Sequence, residues 1–205
     1  MDELEKLRKH WEDDNFQRKH ALAREIVVNR LRELNREYEE KTGQGFVRFI
    51  ETRMKTPESI AEKLQRKDYD VDFDTAVTAL NDISGVRCIC YSVKEIYWIA
   101  RQIGKTDTYT VVKAKDYIRK PKKNGHESQH IVLGIPMSYK GKTTVVRVEL
   151  QLRTMIMDAW AGMDNRVSYK KGVPPEMERR IEKYARIGRR LDKLIQKTLD
   201  DSKTV

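Results

Sequence analysis

Only two cysteines, Cys88 and Cys90, occur among 205 residues, too few for a disulfide framework. They stand two apart in a stretch rich in β-branched residues, so strand alternation turns both to one face, where buried thiols are expected; a closed zinc site would need further Cys or His at ligand spacing. No apolar run approaches the roughly 20 residues of a membrane span. The N-terminus opens on Asp2 and Glu3 rather than on a basic stretch leading into an apolar one, so the expected location is the cytoplasm, with no membrane partner. Repeats and low-complexity tracts are also missing, and apolar periodicity along most of the chain excludes general disorder. What is abundant is charge: 42 Lys and Arg against 32 Asp and Glu give +10, in a chain that is 36% charged and 39% hydrophobic. The length suits one domain with a sizeable core.

The first forty or so residues place Leu22, Ile26, Val27, Leu31, Leu34 and Tyr38 at helical spacing, predicting a long amphipathic helix that ends near Gly43, with a shorter one before it. "FVRFIETRMK" reads as a strand. Thr56, Pro57 and Glu58 then supply an N-cap, a first-turn proline and an early acid for the helix "ESIAEKLQRK". After a polar region come a strand "GVRCICYS", a helix "VKEIYWIARQIG" closed by Gly104, and a strand "TYTVVKAKDYI". "RKPKKNGHES" is too charged and too rich in turn formers to enter a core. "QHIVLGIPMSY" and "TTVVRVELQLRT" read as a hairpin around Gly141, and the rest is helical apart from a break at Gly172 to Pro175. The expected class is α+β, a mixed sheet of about five strands flanked by helices: a helical region 1–43, a core 46–169 and a terminal helix 174–201, all within one domain.

In the last strand Val146, Val148, Leu150 and Leu152 alternate with Arg147, Glu149, Gln151 and Arg153, which puts all four polar residues on one face. Taken alone, that is the ordinary solvated face of an antiparallel sheet. On the helix after Thr56, however, Ser59, Lys63 and Arg66 share a face, Arg53 and Lys55 share a face of the preceding strand, and Arg87 lies in the strand after Gly85. With Arg119, Lys120, Lys122 and Lys123 they surround one acid-bearing strand with bases, a composition suited to a polyphosphate. Asp82 precedes Gly85 at a strand entry, where it can serve a turn or, with Glu149, hold magnesium beside substrate phosphates.

Four blocks, "RMKTPESIAEKLQRK", "DISGVR", "YIRKPKKNGHESQH" and "VELQLRTMIMDAWA", resemble in order and spacing the synthetase domain of the RelA/SpoT family, specifically the small alarmone synthetases, from about Phe46 to Tyr169. The resemblance implies a nucleotidyltransferase-like synthetase fold and a pyrophosphokinase that moves the β,γ-diphosphate of ATP to the 3′-hydroxyl of GDP or GTP, giving ppGpp or pppGpp and AMP. It leaves no room for the family's separate hydrolase domain. It places Arg53, Lys55, Ser59, Lys63, Arg66, Arg87 and Lys115 on the ATP side. Asp82 falls on the magnesium carboxylate, and Glu149 on the acid that coordinates metal or deprotonates the acceptor hydroxyl. Lys122, Asn124, Gly125, His126, His130 and Gln151 fall on the acceptor side. Two departures stand out. His126 replaces the tyrosine that stacks on guanine, and Asp164-Asn165 replaces a Glu-His pair. A stacked imidazole in an exposed loop would titrate near neutrality and select its base weakly.

Other acceptors stay open at this point: an adenine nucleotide or the 3′ end of tRNA, with RNA contact favoured by the +10 charge. A non-catalytic nucleic-acid module would explain the bases but not Asp82 and Glu149 among them, and it lacks interleaved aromatics. The resemblance further implies a homotetramer built through terminal helices. Leu22, Ile26 and Leu34 at one end, and Ile181, Tyr184, Ile187, Leu191 and Leu194 at the other, could supply its apolar stripes, or could pack on the chain's own sheet.

Overall fold

The chain enters through two helices, α1 (Glu3–Trp11) and α2 (Asp14–Thr42). The Asp13 carboxylate accepts from the Phe16 N–H to start α2, and Gly43, at φ 78°, stops it by donating its own N–H to the Glu39 carbonyl. The computed structural model describes residues 2–139, 142–168 and 173–202; the expected turn at Gly141 and the break at Gly172 lie outside them. Strands β1 (Val47–Met54), β2 (Ser84–Cys90), β3 (Thr110–Asp116), β4 (Gln129–Tyr139) and β5 (Lys142–Thr154) form one sheet in the order β1-β2-β5-β4-β3. β2 and β5 are parallel and the other pairs antiparallel. Between them lie α3 (Pro57–Gln65), α4 (Phe73–Ala79) and α5 (Val93–Gln102), and after them α6 (Met155–Ser168) and α7 (Pro175–Asp201). This is the expected α+β class.

Alternation divides the sheet into two chemically opposite faces. Val86, Cys88 and Cys90 of β2, Ile131 and Leu133 of β4, and Val148, Leu150 and Leu152 of β5 point to one side, where Val27, Leu31 and Leu34 of α2 and Ile96 and Ile99 of α5 cover them. Each fully buried aliphatic side chain contributes about 1.5–3 kcal/mol there. Both cysteines are fully buried, as expected, and the neighbouring Cys88 sulfur together with burial raises the Cys90 thiol, which stays protonated.

The polar region after α3 contains a helix that the sequence pattern did not predict. α4 is seven residues long, and Asp72 caps it by accepting from the Thr75 N–H and hydroxyl, 2.8 and 2.6 Å. Its Ala76 joins Leu80 and Ile83 in a small second core with Leu7, Trp11, Phe16, Ile60 and Leu64, too few positions to show a helical period in sequence. α3 begins as expected, with Thr56 accepting from the Ser59 N–H. The terminal apolar stripes divide: Leu34 and Ile181 are buried in their own chain, whereas Leu22, Tyr184, Ile187, Leu191 and Leu194 are exposed.

Candidate active site

The face of the sheet away from α2 and α5 is set by strand register. Glu149 lies opposite Gly85 on one side and Val132 on the other; Gln151 lies between Arg87 and His130. One strand further out, Arg53 pairs with Gly85 and Lys115 with His130. A single polar face therefore gathers residues from all five strands. α3 and the chain entering β2 close one end of it, and together they bound a cavity of about 240 Å³ lined by Lys63, Lys67, Asp82, Lys113, Lys115, Tyr117, His130 and Glu149.

Glu149 is held from both sides: its Oε1 lies 3.3 Å from His130 Nδ1, and its Oε2 accepts from Gln151 Nε2 at 2.7 Å. Burial works to raise its pKa, but the His130 contact and the Gln151 hydrogen bond outweigh that and leave it below the usual carboxylate value. Asp82 behaves alike. Its Oδ2 takes Lys55 Nζ at 3.1 Å and its Oδ1 meets Lys63 Nζ at 2.6 Å, the latter a close ion pair rather than an aligned hydrogen bond. Burial again opposes ionisation, and the two ammoniums again win. Both carboxylates are anionic at neutral pH and near enough to disfavour each other's charge.

Beside this cavity Arg53, Gly85, Arg87 and Gln151 line a shallower cleft. A Cβ at Gly85 would come into ordinary van der Waals contact with the Arg53 stem, 3.4 Å from its Cγ. Arg87 reaches Glu51 at 3.0 Å and Asp158 at 3.5 Å, and Arg153 donates to Asp158 and to the Gln151 side-chain oxygen Oε1, each at 3.0 Å. A larger cavity of about 650 Å³ lies between α5 and α7, walled by Val93, Ile118 and Met157. It shares no lining residue with the smaller cavity and carries charges of its own, among them Lys94, Glu127, Arg189 and Asp192.

Of the candidate residues, Lys63, Lys115, Asp82, His130 and Glu149 meet in one cavity, Lys55 joins through Asp82, and Arg53, Arg87 and Gln151 adjoin it. Ser59 sits at the start of α3 and Arg66 at its exposed C-cap; neither lines either space. The loop 122–128 departs further from expectation. Asn124 hydrogen-bonds Asp164, and Gly125, at φ +90°, packs so closely on α7 that a Cβ would overlap the Ala185 methyl. His126 is not exposed: it is 9% accessible, its Nε2 lies 2.8 Å from Ser128 Oγ, and its ring meets the edges of Trp160 and Tyr117. Burial and the Lys122 charge depress its pKa to about 3, so the expected titration near neutrality does not occur. An imidazole carries little polar surface to bury, and Gly125 lets the chain press on Ala185 and Trp160 and carry His126 inward.

Among the cavity residues not singled out from sequence are Lys67, Lys113 and Tyr117. Lys113, Lys115 and Tyr117 follow each other at every second position, a strand-face signal that runs past the end of β3; Lys67 lies just beyond α3 and has no such signal.

Comparison with known proteins assigns the family. Residues 52–173 match the family described as "Region found in RelA / SpoT proteins". The chain is 30% identical over 194 residues to a GTP pyrophosphokinase, YwaC, of Bacillus subtilis, covering 94% of this chain and 91% of that protein. It is 28% identical over 186 residues to a second, YjbM, of the same organism, covering 90% and 86%. Its fold superposes on the small alarmone synthetase 1 from Bacillus subtilis bound to its product pppGpp with a TM-score of 0.83 at 28% identity, over 95% of this chain and 98% of that one. A structure of the same synthetase bound to AMPCPP gives 0.77 at 26% identity, over 96% and 100%.

Proposed function

Because the chain belongs to the RelA/SpoT family, we propose that it is a (p)ppGpp synthetase, moving the β,γ-diphosphate of ATP to the 3′-hydroxyl of GDP or GTP. The observation that carries this reading is the pairing of two ionised carboxylates, Asp82 and Glu149, at one cavity walled by lysines. The relatives bound to pppGpp and AMPCPP supply the nucleotide classes.

In the proposed reaction the acceptor O3′ bonds to the β-phosphorus of ATP while the bridge between the α- and β-phosphates breaks and its electron pair leaves on AMP. Glu149 takes the hydroxyl proton. It is ionised and therefore able to accept, and His130 and Gln151 fix both of its oxygens in place. Phosphoryl transfer otherwise asks for alignment and neutralised charge. Lys63 and Lys115 on one side, and Arg53 and Arg87 on the other, supply that charge. Without nucleotide, Lys55 and Lys63 are spent on Asp82, and a triphosphate would draw their ammoniums to its oxygens and release the carboxylate.

Asp82 and Glu149, two ionised carboxylates lining one cavity, fit a magnesium ion, which is usually held by one or two carboxylates with phosphates and water. When bound it would neutralise the triphosphate and lower the pKa of an attacking hydroxyl.

Tyr184, Ile187, Leu191 and Leu194 repeat at the three-four spacing of a helix-pairing seam and are all exposed along α7. They support assembly through this helix into a homotetramer. No helix among the described residues is long and apolar enough to cross a membrane, and a cytoplasmic enzyme would meet its nucleotide substrates directly. The test is to incubate the purified protein with ATP, magnesium and GDP, GTP, ADP or deacylated tRNA in turn. Product on GDP or GTP supports the reading; transfer confined to ADP or tRNA replaces the acceptor, and RNA binding without transfer replaces the function.

A further inference from the structure

The cavity of about 650 Å³ between α5 and α7 takes no part in the proposed transfer, yet its volume lies within the roughly 300–1,000 Å³ that holds a drug-sized ligand. Its lining grades from buried to open: Asp192 and Met157 are buried, Val93 and Ile118 half-buried, Arg119 and Lys193 exposed. Asp192 is the unusual member. It is 4% accessible; its Oδ2 accepts from the Thr154 hydroxyl at 2.9 Å, and its buried Oδ1 has no partner among the described residues. Burial and the nearby Glu127 charge push this carboxyl up to about 6, so at neutral pH it is mostly an anion with one oxygen unsatisfied. The other acids are paired, Glu127 with Arg189 and Asp200 with Lys94 at 3.0 Å. What remains is one buried anion and two exposed cations, Arg119 and Lys193, which form no ion pair among the described residues.

The complement of that arrangement is a molecule with an N–H donor at one end, an apolar body and an anion at the other. A simple amine does not match, because four bases line the cavity against three acids, and a simple acid brings Asp192 no donor. A free amino acid carries both charges on one carbon and cannot set its apolar body between them. A short peptide can. We propose that this cavity is a binding site, separate from the transfer site, for a short apolar peptide with free ends: its N-terminal ammonium meets Asp192 Oδ1, its side chains lie against Val93, Ile118 and Met157, and its C-terminal carboxylate faces Arg119 and Lys193. An ammonium supplies the donor that the buried oxygen lacks, and a charge-assisted hydrogen bond of this kind is strong because both groups leave water together. The site stands or falls independently of the transfer reaction.

The test is calorimetry on the purified protein with leucyl-leucine, its N-acetyl form and its C-terminal amide. The free dipeptide should bind with a Kd below about 1 mM. N-acetylation should weaken it about tenfold or more, as for loss of a charge-assisted hydrogen bond, and amidation only about threefold, because the cations it meets are exposed. Asp192→Asn keeps an acceptor for Thr154; it should weaken the free dipeptide about tenfold and leave the N-acetyl form unchanged. Val93→Trp should block all three by filling the space. AMPCPP binding, unchanged in both variants, checks that they fold. An N-acetyl form that binds the unmodified protein as tightly as the free dipeptide overturns the proposal and needs no variant. So does a dipeptide that ignores Asp192→Asn or Val93→Trp, or one displaced by AMPCPP or GDP. Failure of all three to bind up to about 10 mM leaves Asp192 Oδ1 to water and overturns it as well.

Discussion

Gln151 Nε2 donates to Glu149 Oε2 across 2.7 Å, from two positions along the same strand. The amide's other end accepts from Arg153 at 3.0 Å, which fixes the way Gln151 faces and keeps its NH₂ on the carboxylate. Glu149 is thus an anion held at a set angle to the cavity rather than a free surface acid.

Glu149→Gln keeps this shape and removes both charge and basicity. Transfer should fall at least a hundredfold, as for loss of a general base, while AMPCPP affinity changes less than threefold. Product formation and nucleotide binding, measured on the same preparation, separate the two effects; turnover within tenfold of the unmodified enzyme would remove Glu149 from the chemistry.

Asp82→Asn leaves Lys55 and Lys63 without their anion. If Asp82 serves the metal, activity should drop and recover in part as magnesium is raised, and the magnesium needed for half-maximal rate should rise at least fivefold. An unchanged magnesium dependence would make Asp82 a partner for the lysines alone.

Strand alternation made much of this legible. Glu149, Gln151 and Arg153 were placed on one face by periodicity alone, and β2 and β5 register added Arg87 and Gly85 beside them. Thr56 and Pro57 announced α3 because caps act locally. What escaped was set by tertiary packing. α4 had too few apolar positions to show a period, and Tyr117 lies one residue beyond the strand whose face it continues. His126 was misplaced because a basic, turn-rich segment reads as exposed, while Gly125 lets the chain press on Ala185 and Trp160 and carry His126, Glu127 and Ser128 inward.

Stability should fall on acidification well before the acidic side chains titrate generally. Burial and nearby charges hold His20 at about 4, and His126 at about 3, against an ordinary 6.5. Below that value the unfolded chain takes up protons that the folded one refuses, so stability is complete above pH 6.5 and is lost as pH falls. Asp192, raised by burial to about 6, opposes this over part of the range, since its folded form binds the proton more readily. Between pH 6.5 and 5 each histidine should cost about 1–2 kcal/mol. Urea titrations at stepped pH should show the decline, and His20→Asn should make it shallower. A flat profile over this interval would mean that neither ring is held neutral.

Gly125→Ala should destabilise the fold by about 1–3 kcal/mol, because it forces a side chain into a left-handed backbone and against Ala185. Adding Ala185→Gly should return the steric part only. A neutral Gly125→Ala in thermal unfolding would contradict the close approach of this loop to α7.

The most direct measurement follows the phosphates of ATP labelled separately at the α- and β-positions, with GDP and magnesium present. Transfer of the intact diphosphate predicts that β-label appears on the guanine nucleotide and α-label appears in AMP, in equal amounts and only when acceptor is added. Formation of ADP, or release of label as inorganic phosphate without dependence on acceptor, would contradict the assignment of this sheet face as a pyrophosphotransfer site.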